Sequence, residues 1–220
     1  WYRFSDYPNL YDCWWGFGNM PNGDELNPSY LEYIISGKNS IVKRWIRAGA
    51  SGWRLDVADE LPDEFIKLLK QSIREEKSDT VLIGEVWEDA SNKMSYSKKR
   101  EYLFGYELDS ITNYPLRQLI IEYSKKQISS EYFIKRYKSL LENYPRENFF
   151  STMNMLGTHD TERILTILEG KIEQLKIAVL LQMTLPGVPL IYYGDEAGVK
   201  GGKDPDNRKP YPWGKENIEV

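Results

Sequence analysis

From residue 30 onward the apolar positions switch repeatedly between two spacings. YLEYIIS (30–36) and SIVKRWIRAGA (40–50) repeat every three or four residues, the spacing that keeps one face of an α-helix apolar. Ile41, Trp45 and Ala48 fall on one stripe, Lys43, Arg44 and Arg47 lie off it, and Gly49 stands where a helix C-cap is expected. GWRLDVA (52–58) then alternates residue by residue, which sets Gly52, Arg54, Asp56 and Ala58 on one face of a strand and Trp53, Leu55 and Val57 on the other. Arg54 and Asp56 are therefore predicted to be neighbours. LPDEFIKLLKQSIREE (61–76) returns to helical spacing, with Pro62 near the first turn and Asp63 and Glu64 facing the positive end of the helix dipole. TVLIGEVW (80–87) reads as a buried strand and GYELDSIT (105–112) as a weaker one. Two amphipathic helices follow at 113–126 and 130–144, then a strand in FFSTMNMLGTHD (149–160), helices near 161–168 and 171–184, and a strand in GVPLIYYGDE (187–196), entered through Pro-Gly and closed by Gly194.

Strand alternating with helix implies parallel strands joined by helical crossovers. Four clear strands, one weak strand and a leading helix place the chain in the α/β class. A closed (β/α)8 TIM barrel needs eight such units and roughly 250 residues. The expectation is a partial barrel, approximately strands 4 to 8 with their helices, as a single domain fragment over residues 1–220. Residues 1–28 are rich in aromatics, Gly, Pro and Asn without a sustained period, so they are expected to form a structured loop before the fourth strand. Residues 195–220 carry Gly, Pro, Asp and Asn in quick succession and are expected to be the loop after the eighth.

Composition narrows the function classes. With 29 basic and 33 acidic residues the net charge is −4, which offers no basic footprint for nucleic acid or an anionic membrane and suits a neutral substrate. One cysteine, Cys13, and one histidine, His159, exclude an internal disulfide and a zinc site built from several histidines of this chain. No run of 18 apolar residues and no basic leader with an apolar stretch is visible. Since the numbering begins at Trp1, these features leave the compartment open, with the cytoplasm slightly favoured and secretion not excluded. The chain holds 16 Tyr, 7 Trp and 7 Phe, flat faces that fill cores and stack on sugar rings alike.

Three stretches each deliver a carboxylate at the end of a strand-like run: GWRLDVADE (52–60) with Asp56, LIGEVW (82–87) with Glu85, and LGTHDTERIL (156–165) with Asp160. The C-terminal ends of parallel strands are where an α/β barrel carries its chemistry. Two carboxylates flanking a glycosidic bond are the minimum for cleaving it, and a third can hold the distorted sugar. Taken singly, Asp56 is more often a turn former and Asp160 a helix cap, whereas Glu85 inside an apolar run is costly unless it has a partner or a function. Together, the three favour catalysis. Trp87, beside Glu85, is a candidate for stacking on substrate; Trp14 and Trp15 are expected to serve packing.

These stretches resemble the α-amylase family, glycoside hydrolase family 13, and within it the neopullulanase, cyclomaltodextrinase and maltogenic amylase branch. GWRLDVADE looks like the fourth-strand motif, GEVW the fifth and GTHDTER the seventh; GVPLIYYGDEAGVKGGKDPDNR (187–208) looks like the eighth strand with its loop. YDCWWGFGNMP (11–21) resembles the segment before the fourth strand in that branch, although NMPNGDELN departs from its tighter spacing. The resemblance implies a retaining mechanism with Asp56 as nucleophile, Glu85 as acid and base in a partly apolar setting, and Asp160 binding hydroxyls beside the scissile bond with help from His159. It implies that Arg54 orients Asp56, which its spacing supports independently. The family's third-strand motif, an Asp and a His, has no counterpart here. An incomplete site follows, with poor hydrolysis by the isolated chain and unpaired strand edges that promote self-association.

The expected substrate is an α-glucan, as maltooligosaccharide, cyclodextrin, pullulan or starch, cut at α-1,4 and also α-1,6 bonds. No cofactor is expected. Asp204 and Asp206 suggest calcium only weakly, because alternating carboxylates around a proline usually form a turn, and no metal is assigned. A 4-α-glucanotransferase would use the same residues and differ in its products. A non-catalytic amylase-like binding or partner subunit would be expected to lack one of the three carboxylates, and none is missing.

Overall fold

The computed structural model describes residues 1–220, which divide into two compact units: Trp1–Gly84 with Phe104–Leu108, and Glu85–Leu103 with Asp109–Val220. In the first unit the aromatic N-terminal stretch, expected as loop, holds a short antiparallel pair, β1 (Phe4–Asp6) and β2 (Leu10–Tyr11). Neither strand buries a side chain, so no apolar alternation announces them. Asn27 caps α1 (Pro28–Leu31), its side chain accepting from the N–H groups of Ser29 and Tyr30 at 3.1 and 3.3 Å, with Pro28 in the first turn. The helix continues as one π-helical turn, Glu32–Ser36, that buries Ile35.

α2 (Ile41–Arg47) ends at Ala48, and Gly49 beyond it takes a φ of 114°, a backbone state glycine reaches without a Cβ clash. Its buried face is Val42 and Ile46, not the predicted stripe of Ile41, Trp45 and Ala48; Trp45 is 59 % exposed. The helical period holds and the phase is one residue off, because a large indole outweighs smaller aliphatics in a pattern while packing follows the side that meets α3 (Asp63–Glu76). α3 buries Phe65, Ile66, Leu69 and Ile73 and connects β3 (Gly52–Leu55) to β4 (Val81–Gly84), which pair in parallel from Gly52 opposite Val81 to Leu55 opposite Gly84. The strands touch closely at Gly52, where a Cβ would stand 2.0 Å from the Val81 carbonyl oxygen.

In the second unit β5 (Met94–Ser95) and β6 (Lys98–Lys99) form a small hairpin. β7 (Ser110–Ile111) leads through Asn113, whose side chain caps α4 (Tyr114–Ser124) by accepting from Leu116 N–H at 3.2 Å. α5 (Ser130–Asn143) and α6 (Arg146–Ser151) precede β8 (Met153–Met155); α7 (Ile164–Ile167) and α8 (Ile172–Thr184) precede β9 (Val188–Leu190). Thr112 bridges in parallel to Met153, and β8 pairs in parallel with β9, Met153 opposite Val188 through Met155 opposite Leu190. α4, α5, α7 and α8 cover this ladder with a core that includes Leu116, Ile120, Phe133, Leu165, Leu175 and Ala178. The strand expected from residue 149 starts later, since Phe149, Phe150 and Ser151 close α6, with Phe149 buried and Phe150 exposed. Two adjacent phenylalanines look like strand in a pattern; here Pro145 opens a helix that turns them to opposite environments.

Candidate active site

Asp56 is the first residue after β3. Arg54 Nη1, two residues back, donates to Asp56 Oδ1, so a guanidinium holds the carboxylate. The next residue, Val57, is left-handed at φ 42°, ψ 60°, a state that costs a β-branched residue roughly 1–3 kcal/mol and recurs at sites that over-determine their backbone. That kink ends the strand and leaves the Asp56 side chain 71 % exposed, open to a ligand. A 3-10 turn, Ala58–Glu60, follows, and Glu60 Oε1 accepts from Trp15 Nε1 at 3.3 Å. Trp14 stacks on Trp15 with ring centroids 4.7 Å apart, yet Trp15 is 70 % exposed, so the packing role expected of it fails on its outer face.

Glu85, the residue after β4, is 3 % exposed. Its Oε1 accepts from Trp87 Nε1 at 3.2 Å, and Val86, between them, is fully buried. Val86 N–H donates to Thr112 Oγ1 at 3.0 Å, and the same hydroxyl donates to Val86 O at 3.2 Å. Further along, Ala90 N–H donates to Tyr144 Oη at 2.9 Å and Asn143 Nδ2 to Asp89 Oδ2 at 3.0 Å. Burial, reinforced by the nearby Asp89 charge, pushes the Tyr144 phenol far above its usual range, so it stays a neutral post. Trp87 lies flat on Tyr114, centroids 3.9 Å apart and planes 10° apart, while it remains 47 % exposed. One indole face is thus backed by protein. Tyr114 also bonds through its hydroxyl to Thr158, and burial raises its phenol pKa.

Asp160 sits in the turn after β8. Its N–H donates to Thr158 Oγ1 at 3.2 Å, and Thr158 N–H to Thr161 Oγ1 at 3.0 Å. His159 Nε2 lies 3.1 Å from Asp160 Oδ2, and Arg208 Nη2 lies 3.6 Å from Asp160 Oδ1. Both side-chain oxygens therefore face nitrogen donors. Arg208 comes from the DPDNR segment after β9, where Asp204 pairs with it at 2.7 Å and Asp206 pairs with Lys209 at 2.7 Å. The two carboxylates considered for calcium are thus each held by a cation.

The family model described as "Alpha amylase, catalytic domain" matches residues 27–219. The chain belongs to the α-amylase family. Its fold is of the (β/α)8 barrel type, of which β3, β4, β7, β8 and β9 supply the part expected from strand 4 to strand 8. Among relatives, an amylopullulanase of Thermoanaerobacter thermohydrosulfuricus is 36 % identical over all of this chain and 17 % of its own length. A cyclomaltodextrinase of Geobacillus thermopakistaniensis (strain MAS1) is 33 % identical over all of this chain and 37 % of its own. A solved structure of a cyclomaltodextrinase superposes with a TM-score of 0.88 at 32 % identity, covering the whole chain and 37 % of that protein. The chain therefore spans well under half of these relatives. They are glycoside hydrolases.

Residues of this α-amylase family chain that the sequence reading passed over are Tyr114, Arg163, Asp195, Asn207 and Arg208. Asn207 and Arg208 lie inside the resemblance to the eighth-strand loop, but spacing gives no sign that a residue 48 positions away bonds the backbone of His159. Arg163 follows Glu162 and Asp195 precedes Glu196, so neither lies inside an apolar run as Glu85 does, and only the fold shows that they pair at 3.1 Å.

Proposed function

We propose that the protein carrying this chain is a retaining α-glucan hydrolase that cuts α-1,4 and α-1,6 glucosidic bonds of maltooligosaccharides, cyclodextrins or pullulan. The observation that carries the reading is that a chain matched to the α-amylase catalytic domain over residues 27–219 keeps all three strand-end carboxylates. Asp56 is the nucleophile: exposed and held by Arg54, it attacks the anomeric carbon. Glu85 protonates the departing glycosidic oxygen, and as the carboxylate left behind it takes a proton from the water that opens the glycosyl-enzyme ester. Trp87 supports Glu85 through its N–H and offers its open face to the sugar. Asp160, with His159 beside it, grips hydroxyls of the sugar as the ring flattens, an interaction that strengthens toward the transition state.

The test uses the protein at its natural length with maltotetraose and a cyclodextrin. Glu85→Gln is expected to lower kcat by roughly 10²–10⁴-fold, Asp56→Asn to abolish turnover, and NMR of early products to show the α anomer. First formation of the β anomer rules out retention, and undiminished turnover by Asp56→Asn removes the assigned nucleophile. Longer oligosaccharides dominating at modest substrate concentration identify a glucanotransferase instead.

A further inference from the structure

The turn that carries Asp160 and the loop after β9 exchange side chains. From the first, Arg163 sends Nε to the carbonyl of Asn207 at 2.7 Å and Nη1 to the carbonyl of Tyr193 and to Asp195 Oδ1, the latter at 3.1 Å. Its guanidinium lies 4.0 Å from the Tyr192 ring centre and 4.7 Å from that of Tyr193, and its backbone N–H donates to Gly201 O at 3.0 Å. From the second, Asn207 Nδ2 donates to His159 O at 2.6 Å and to Thr161 O at 2.9 Å. Those carbonyls bracket Asp160. Arg163 and Asn207 are both fully buried. Close approach is enforced at two glycines: a Cβ on Gly157 would stand 2.1 Å from Asp195 Oδ2, and one on Gly201 would stand 2.4 Å from Asp206 O.

We propose that Arg163 and Asn207 form a reciprocal clasp that fixes the 159–161 backbone and thereby the carboxylate of Asp160, making both positioning residues for sugar distortion. The inference rests on Asp160 binding the sugar as proposed above. Each partner donates to backbone of the other's loop, so neither loop can shift without breaking bonds to the other. Water does not compete for bonds made at buried atoms, which keeps them directional. Arg208, next to Asn207 in the chain, donates to the same His159 carbonyl at 3.1 Å and reaches Asp160 itself. Asn207 thus aligns the backbone and Arg208 the side chain.

The experiment compares Asn207→Ala and Asp160→Asn with the wild type in the protein at its natural length. It measures kcat and KM on a maltooligosaccharide, the affinity for acarbose, whose flattened ring mimics the transition state, the affinity for maltose, and the melting temperature. Misplacement by about 1 Å is expected to cost about 100-fold in kcat/KM, carried by kcat. Acarbose affinity should fall in parallel and maltose affinity stay unchanged. A merely structural role predicts a lower melting temperature with wild-type kcat/KM below it, or equal losses for acarbose and maltose; either result overturns the clasp. Full activity in Asp160→Asn overturns the role of Asp160 and the clasp with it, whereas an inactive Asp160→Asn beside a fully active Asn207→Ala overturns the clasp alone. Should Asn207→Ala not fold, Asn207→Gln keeps both donors on a longer arm: the same kcat loss supports the clasp, and full activity overturns it.

Discussion

Burial lifts the carboxyl of Asp195 from its ordinary 3.8 to about 6, with Arg163 pulling the other way and losing. Beyond Arg163, the charges acting on it are Glu196, which raises its pKa, and Arg117, which lowers it. A carboxyl whose folded pKa lies above its unfolded one binds its proton more tightly in the folded state. Its effect is therefore to lower stability as pH rises from about 4 through about 6, with no further change above. A difference of about 2 pH units is worth roughly 3 kcal/mol. Urea unfolding of the chain between pH 4 and 8 should show this slope, and Asp195→Asn should flatten it; an unchanged slope in the variant assigns the titration elsewhere. Trp87→Phe is the second residue-scale prediction. It keeps a ring on Tyr114 but loses the N–H bonded to Glu85, and kcat should fall about 5-fold, the worth of a hydrogen bond of about 1 kcal/mol. Wild-type kcat in Trp87→Phe would show that the bond is idle. At this scale the candidates Asp56, Glu85 and Asp160 stand out in the sequence because each is a carboxylate following a strand-like run. Asn207 does not, because an uncharged amide in a Gly-Pro loop looks like any turn residue until the fold brings His159 to it.

Elements were legible where burial leaves a period and invisible where it does not. α3 shows its apolar stripe because one side faces α2 and the π turn; β1 and β2 bury nothing and leave no trace. Strand cores were found but overextended: the run from residue 52 pairs only to Leu55, since Val57 leaves the extended region, and the run from 149 pairs only from Met153. The pairing of β3 with β4 yields the element-scale prediction. Gly52 has room for nothing larger than hydrogen, its neighbour being the rigid Val81 carbonyl rather than the end of a side chain. Gly52→Ala must push the strands apart, at about 1–3 kcal/mol by the usual cost of overpacking. Because Arg54 lies on the same strand and Asp56 directly follows it, activity should fall more than stability does. Urea midpoints and kcat measured side by side check this; a variant with both unchanged would mean that the strands separate without cost.

At the scale of the whole molecule, the five strands β3, β4, β7, β8 and β9 were readable in their chain order from the spacing of apolar positions and agree with a partial barrel, whereas β1, β2, β5 and β6 were not. The division into two units was not readable either, because its first boundary falls between Gly84 and Glu85, inside the TVLIGEVW run, where no proline, glycine-rich or charged linker marks it, and Phe104–Leu108 then returns to the first unit. The second unit also shows what an incomplete ladder exposes. β9 is paired only with β8. Val188 on it, Ile191 just beyond it, and Ile177, Leu180 and Met183 on α8 are each between 39 % and 61 % exposed. Five large apolar side chains beside a strand edge with free backbone groups are a template for pairing with another chain. Charge opposes this weakly, the net value being only −4 over 220 residues. The 220-residue chain expressed alone should therefore self-associate at micromolar to millimolar concentration, seen as a concentration-dependent sedimentation coefficient. Leu180→Glu combined with Val188→Lys puts charge on both the helix face and the strand edge and should return the monomer. A chain that sediments as a monomer up to about 100 µM removes the edge as a source of association, and association that persists unchanged in the double variant moves it to another surface.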